Sequence, residues 1–530
     1  MRCRQSNNKG RATTMKKWVL ASNALCLVIL VGAGCSSGKT VEPAVTSNVA
    51  SVKPGATPGE QKIEKVYVYA NGGNLSSVTD SSKPEAVEEV RKAIIDKIGI
   101  EVIPIIPPKG SEDDKLNIML ASNEPLDIFN GSMELHQAKG AAMPLNDLLD
   151  KYGQNSKKLW PVEWKGGWEA LSTKDGRIWG LPINAPAAGN TVLIREDWMK
   201  KLNLKMPTTM EELEAILKEF KEKDPAGGGK TIPLLTTLEE LSHSLAAGFM
   251  DVGYGKWLDA DGKVKPEVLN PGYKDFVAKM ADWYKKGYIY KEAFTIEGAE
   301  QIELIKQNRV AVGAHWHSRE LGNQFALQSS VPEAKYVVAD QLRGPKGLTM
   351  TMGGPGGNGW MISKNSKNPI AAMKYMNWLQ TDLDNYMLAY FGIEGKHWKW
   401  VDKTNHVYER LNRDYLGDLI AAMSFAWTIQ FRDASPQNAP SFEYYRNFLT
   451  NPEKAKKVAL FDVEYKFDSN ALAEKIPTLN DLNRMIEQET IKFIRGARPI
   501  GEWDSFLQEL NKAGMEKWIT AYTAAYNEIK

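Results

Sequence analysis

The sequence predicts an α/β protein built on a parallel sheet, and three observations predict it. Short apolar strands alternate with amphipathic helices. Turn residues mark the changes between them. Hydrophobic residues make up 43% and charged residues 25%, the ordinary composition of a packed chain in water. The first strand is Lys65-Val-Tyr-Val-Tyr-Ala70, stopped by Asn71-Gly72-Gly73-Asn74. A helix follows over 84–98, where Val87, Val90, Ile94, Ile95 and Ile98 share one face and Gly99 ends it. Ile100 to Ile106 reads as the next strand, 113–121 as a helix, and Leu126-Asp-Ile-Phe129 as a short buried strand. In such sheets ligands sit beyond the strand C-terminal ends. Asn71 and the run Asn130-Gly131-Ser132 fall there, although asparagine also serves simply as a turn residue.

A second α/β pattern begins near Asn190. Thr191 to Ile194 is a strand and Arg195 to Met199 opens a helix. Thr208 with Glu211, and Thr209 with Glu212, each fit a capping box for an amphipathic helix through Leu213, Ile216, Leu217 and Phe220. Asn270-Pro271-Gly272 precedes a helix over 273–286, and 300–307 is a short helix before the strand Arg309 to His315, which leads into Trp316. Glycine-rich 344–359 precedes the strand Trp360-Met-Ile-Ser363. Asn368 caps a helix with Pro369 at its first position.

The N-terminus addresses the compartment. Met15-Lys16-Lys17 is a short basic start, Trp18 to Ala33 an uncharged apolar run, and Val31-Gly-Ala-Gly34 a small-residue approach to Cys35. That order is a secretory signal peptide, too short for a membrane span. The start codon is Met1 or Met15. The residues before Cys35 resemble the bacterial lipobox, which implies cleavage after Gly34 and a lipid (palmitate) anchor on Cys35. The cysteines are Cys3, Cys26 and Cys35, so the mature domain has no disulfide, cysteine nucleophile or thiolate metal site. Residues 35–61 are rich in Ser, Thr, Val, Pro and Gly and read as a flexible tether.

Composition narrows function. A net charge of +2 gives no electrostatic case for nucleic acid. Some of the 16 Trp and 19 Tyr must be core, and so many Trp also suit a cleft that stacks on flat apolar faces such as those of sugar rings. Six His, with no Asp, Glu or Cys neighbour to the pair His315 and His317 that suggests a metal, give catalysis little support, and 353–359 lacks the GK[ST] ending of a phosphate loop. No enzyme and no cofactor is expected.

Several stretches resemble the family 1 extracellular solute-binding proteins, the group containing maltose-binding protein. They are Leu126-Asp-Ile-Phe-Asn130, Ile178-Trp-Gly-Leu-Pro182, Thr191 to Trp198, Arg309 to Trp316, and Phe391-Gly-Ile-Glu-Gly-Lys-His-Trp398, in family order across about 61–530. The last is similar to long Gram-positive sugar-uptake lipoproteins. The resemblance implies a two-lobed, type II periplasmic-binding-protein-like fold. Lobe 1 would hold 61–186 and 341–393, and lobe 2 would hold 187–340 and 394–530, after a signal peptide over 1–34 and the tether. It implies a monomeric receptor of an ABC importer, anchored on the outer face of the cell membrane. That receptor would bind an oligosaccharide in the interlobe cleft and deliver it to the permease.

A sugar site needs flat aromatics and side-chain amides. Trp316 is the leading candidate, because the family places a stacking aromatic on that loop; His315 and His317 flank it. Trp360 follows the glycines and Asn358 faces the same mouth. Asn71, Asn130, Asn184 and Asn190 sit at strand ends or crossings. Trp398 and Trp427 are weaker candidates, while Trp283 and Trp378 read as core. Arg343, Lys346 and Lys396 are cations that a uronate could pair with. One departure from the resemblance stands out. Alginate-type relatives carry a calcium loop where this chain has Lys223-Asp224-Pro-Ala-Gly-Gly-Gly-Lys-Thr-Ile-Pro233, with Ala226 and Gly228 in place of oxygen ligands and no acid at Ile232. Calcium takes six or more oxygens, so the site is expected to be empty. Two other readings stay open: the same fold binding a peptide or other non-sugar ligand, and a surface polysaccharide-degrading enzyme.

Overall fold

The computed structural model describes residues 63–70, 81–108, 110–122, 124–161 and 164–530. Cys35 and the leader, and Asn71, lie outside the described residues. The strands that matter for the site are β1 (Glu64–Tyr69), β2 (Ile100–Ile105), β3 (Ile128–Ser132), β4 (Leu181–Pro182), β5 (Asn190–Arg195), β6 (Ile232–Leu235), β7 (Val310–Trp316), β8 (Tyr336–Val338) and β9 (Asn358–Ile362). They form two sheets, ordered β2-β1-β3-β9-β4 and β8-β5-β7-β6.

Local chemistry sets many element ends. The helix Pro84–Ile98 ends on Gly99 at φ 66°, the left-handed cap that glycine adopts without strain. Thr209 accepts the amide of Glu212 at 3.2 Å, while the Glu212 carboxylate accepts from the Thr208 amide and hydroxyl, and the helix Met210–Lys223 buries Leu213, Ile216, Leu217 and Phe220. Asn270 caps Pro271–Lys285 through the amide of Gly272. Asn368 does not cap its helix. Its amide donates to the carbonyl of Lys65 instead, tying the helix start to β1.

The sheets are mixed rather than parallel. β1 runs parallel to β2 and β3, but β9 is antiparallel to both β3 and β4. In the second sheet β5 is antiparallel to β7 and β8, and only β6 and β7 run parallel. A parallel neighbour needs a crossover, usually a helix, whereas β9 enters from the other lobe and meets β3 from the opposite end.

Each sheet has its own core, and the fold is two-lobed. Val66, Val68, Val90, Ile94, Ile128, Leu181 and Trp360 belong to the first core. Val192, Ile194, Leu213, Trp283, Val312, Phe493, Trp503 and Trp518 belong to the second, with Trp283 fully buried and so core as expected. Trp378 packs half-buried on the first. The stretch from Trp398 to Phe431, expected in lobe 2, sends Trp398, Tyr408, Tyr415, Leu419 and Trp427 into the first core. The reason is local, since these residues close over the helix Leu383–Phe391, which packs there immediately before them.

Three segments pass between the cores and lie side by side. Ala187 and Gly353 exchange backbone hydrogen bonds at 3.1 and 2.9 Å, Thr351–Met352 pairs with Lys456–Lys457, and the Ala188 amide donates to Leu449 at 2.7 Å. Ala188, Met350, Met352 and Ala455 form a small apolar plug within this hinge.

The loop after Met210–Lys223 is closed by its own chain. Asp224, at φ 44°, accepts the Gly229 amide on one carboxylate oxygen and the Thr231 amide and hydroxyl on the other. Both oxygens are committed inward and Ala226, Gly228 and Ile232 offer no others, so these residues do not fit calcium. Asp224→Ala is expected to cost about 1 kcal/mol in denaturant unfolding, because three hydrogen bonds that close this surface loop are lost to water. Addition of calcium or of a chelator should leave the melting temperature of the parent protein unchanged.

Candidate functional site

β7 is buried from Val310 to His315 and then delivers Trp316 to the surface, where its side chain is 45% exposed. An apolar ring of that size is costly to leave in water. Its position is imposed by Gly189 in the first crossing segment. A Cβ on Gly189 would lie 1.9 Å from the indole, so only glycine lets the ring sit against the backbone there. Asn190 stands opposite Trp316 in the β5–β7 register, half-buried. Asn184 is half-buried earlier in the same crossing.

His315 and His317, expected from sequence to offer hydrogen bonds to a ligand, are instead fully buried and support the Trp316 loop from beneath. His315 Nδ1 lies 3.1 Å from a carboxylate oxygen of Glu320, itself fully buried, and a Cβ on Gly313 would strike that carboxyl group. The His317 ring stacks on Tyr444 at 4.1 Å and 7°, with Tyr445 edge-on at 5.3 Å. Burial pushes His317 down to about 3, so it stays neutral. The Tyr444 hydroxyl donates to Ala188 at 2.7 Å, and Tyr445 opens a π-helical turn, a distortion that recurs at functional sites. The platform thus rests on the first and third crossing segments together.

Asn130 and Asn358 do come together. The β3–β9 register sets Asn358 against Ser132, and Asn130, Ser132 and Asn358 line a recess of about 340 Å³ in the first lobe with Asp113, Asn117 and His136. The side-chain amide oxygen of Asn130, Oδ1, is buried there without a hydrogen-bond partner. That is a costly state which a donor such as a sugar hydroxyl would relieve. Burial lowers His136 to about 4, leaving it neutral.

Trp360 and Trp398 are corrections. β9 lies between β3 and β4, and its alternation turns Trp360 into the first core at 1% exposure, with the indole N–H donated to Ala422 at 3.1 Å. Trp398 is 2% exposed and donates to Gly392 at 2.7 Å. Trp427 is buried and donates to Leu379 at 2.9 Å. All three indoles are sealed and satisfied, so none can stack on a ligand here. Of the three cations, Lys346 pairs with Asp251 and Lys396 with Glu89, and Arg343 lines neither recess.

The sequence reading missed a larger recess of about 460 Å³ in the second lobe, whose lining includes Glu239, His243, Lys256, Glu267, Trp518 and Tyr522. Trp518 and Tyr522 stack at 3.9 Å, one turn apart on the last helix, a spacing that was visible in the sequence. The helix Leu238–Leu245 joins this recess to the Trp316 loop. It follows β6, the neighbour of β7; Thr236 donates to Ala314 at 2.8 Å, and Arg319 pairs with Glu240 at 2.9 Å.

Between the lobes, burial and the Asp468 carboxylate push Glu134 up to about 7. Burial, Glu169 and Asp462 likewise push Tyr465 up to about 12. A carboxyl whose pKa is raised by folding favours the arrangement while protonated. Its contribution is therefore full below about 4.5 and is lost as pH rises to about 7. Glu134→Gln should leave the melting temperature unchanged at pH 4.5 and raise it above the parent's at pH 8, measured by calorimetry.

Among the described residues no group of three or more His, Cys, Asp or Glu could hold a metal, and no helix is long and apolar enough to cross a membrane. Residues 76–382 match the profile of bacterial extracellular solute-binding proteins. The chain is 24% identical over 470 residues to the polygalacturonan/rhamnogalacturonan-binding protein YtcQ of Bacillus subtilis (strain 168), covering 84% of this chain and 89% of YtcQ. It is 23% identical over 549 aligned positions to lipoprotein LipO of the same organism, covering 97% and 99%. Its fold matches the crystal structure of the N-glycan transport solute-binding protein NgtS of Streptococcus pneumoniae with a TM-score of 0.64 at 19% identity, covering 88% of this chain and 98% of that one.

Proposed function

The chain belongs to the bacterial extracellular solute-binding proteins, and from that premise we propose that it is the lipid-anchored receptor of an ABC importer, holding an oligosaccharide between its lobes for the membrane permease. The observation that carries this reading is Trp316, a half-exposed indole set on Gly189 at the hinge, with amide-lined and aromatic-lined recesses in the two lobes. A flat apolar face beside asparagine amides and carboxylates suits sugar rings, which offer C–H faces and hydroxyl edges together. The two cores are the two lobes, with 394–431 added to the first, and the hinge lets ligand binding shift the balance between open and closed arrangements. The match to lipoprotein LipO supports an anchor on Cys35, and hence the outer face of the cell membrane. The protein acts as a monomer, engages no nucleic acid, needs no cofactor and is not an enzyme. Binding without turnover is its task.

Calorimetry against neutral and acidic oligosaccharides, peptides and polyamines tests this. Saturable binding of a carbohydrate, with no release of reducing ends, is expected. Binding confined to peptides or polyamines would overturn the reading, and released reducing ends would replace it with an enzyme.

A further inference from the structure

Both recesses are poor in available positive charge. The second-lobe recess is lined by the carboxylates of Glu239, Glu267 and Glu487 against a single cation, Lys256, which is tied to Glu464 at 2.7 Å. Among its described lining residues the first-lobe recess has Asp113 and neither lysine nor arginine, although Lys139 lies near enough to His136 to help lower its pKa. Arg319, three residues after Trp316, is bound to Glu240 at 2.9 Å and to the side chain of Gln301. Burial lowers the pKa of both His136 and His243, so neither supplies a positive charge. Asp468 adds negative charge between the lobes, opposite Glu134.

We propose that this cleft selects uncharged oligosaccharides and rejects uronate-rich ones, a reading that rests on the carbohydrate function above. Carboxylates are strong acceptors for sugar hydroxyls, and charge-assisted hydrogen bonds of this kind are about twice as strong as neutral ones. The same oxygens repel a ligand carboxylate, and no unpaired cation among the described lining residues of either recess offsets the repulsion. Burial raises the pKa of Glu267, which softens its share, but Glu239 and Glu487 are exposed and face Lys256 only in its pair with Glu464. The specificity-determining residues are therefore Glu239 and Glu487. This separates the chain from YtcQ, whose named ligand, polygalacturonan, is an acidic polymer.

The test compares ligands matched in backbone and length, using tetragalacturonate with its full methyl ester, and xylotetraose with its glucuronosyl-substituted form. At pH 7 and low salt, calorimetry should give the uncharged member of a pair at least about thirtyfold tighter binding, the scale of one like-charge contact in a partly screened site. The double variant Glu239→Gln, Glu487→Gln, at exposed positions that leave folding intact, should narrow that ratio. Equal or tighter binding of the acidic member overturns this inference and leaves the carbohydrate reading standing. An absence of any carbohydrate binding overturns both.

Discussion

Replacing Trp316 by alanine will weaken oligosaccharide binding by about 2 kcal/mol or more, roughly a thirtyfold rise in Kd, while leaving the unfolding free energy within about 0.5 kcal/mol of the parent's. The two halves of this expectation share one cause. The indole is 45% exposed, so its removal uncovers little core, whereas it is the one tryptophan among the exposed large hydrophobic residues described. Gly189→Ala supplies an independent check. The added methyl would lie 1.9 Å from the ring and must displace it, so affinity should fall although the tryptophan is still present. Calorimetry measures both affinities, and urea unfolding measures both stabilities. A Trp316→Ala protein that binds sugar normally would remove the platform from the account.

Trp360→Ala should do the reverse. Its side chain is 1% exposed in the first core and donates to Ala422, so truncation leaves a cavity and an unpaired carbonyl. A loss of about 3–5 kcal/mol is expected in urea unfolding, with Trp360→Phe milder because it keeps most of the volume. Below its melting temperature the alanine variant should bind sugar with nearly the parent's affinity. The two tryptophans looked alike from sequence, both following strand or loop signals near the cleft, and they separate cleanly by which measurement responds.

That contrast shows what was legible. Features encoded within a few residues could be read directly: the Thr209 cap, the Gly99 helix stop, and the emergence of Trp316 at the end of a buried strand. Asn130 and Asn358 could each be placed at a strand end, but their meeting in one recess depends on the pairing of β9 with β3. Features decided by distant segments could not be read. Trp360 is core because β9 inserts between β3 and β4, a neighbour relation that no local pattern carries. His315 and His317 are supports because Glu320 and Tyr444 arrive beneath them. The second-lobe recess draws on the helix Leu238–Leu245, Lys256, Glu267 and two C-terminal helices, which only the folded chain assembles. The mixed sheets follow from the same cause, since a strand returning across the hinge sets its own direction.

Trp316 also offers the most direct measurement of the central claim, that a carbohydrate stacks on this indole between the lobes. Fluorescence titration with the best-binding oligosaccharide should give the parent protein a saturable change in tryptophan emission. In Trp316→Phe most of that change should vanish, even at ligand concentrations that restore occupancy. An undiminished signal in the fully occupied phenylalanine variant would place the sugar elsewhere and contradict the account.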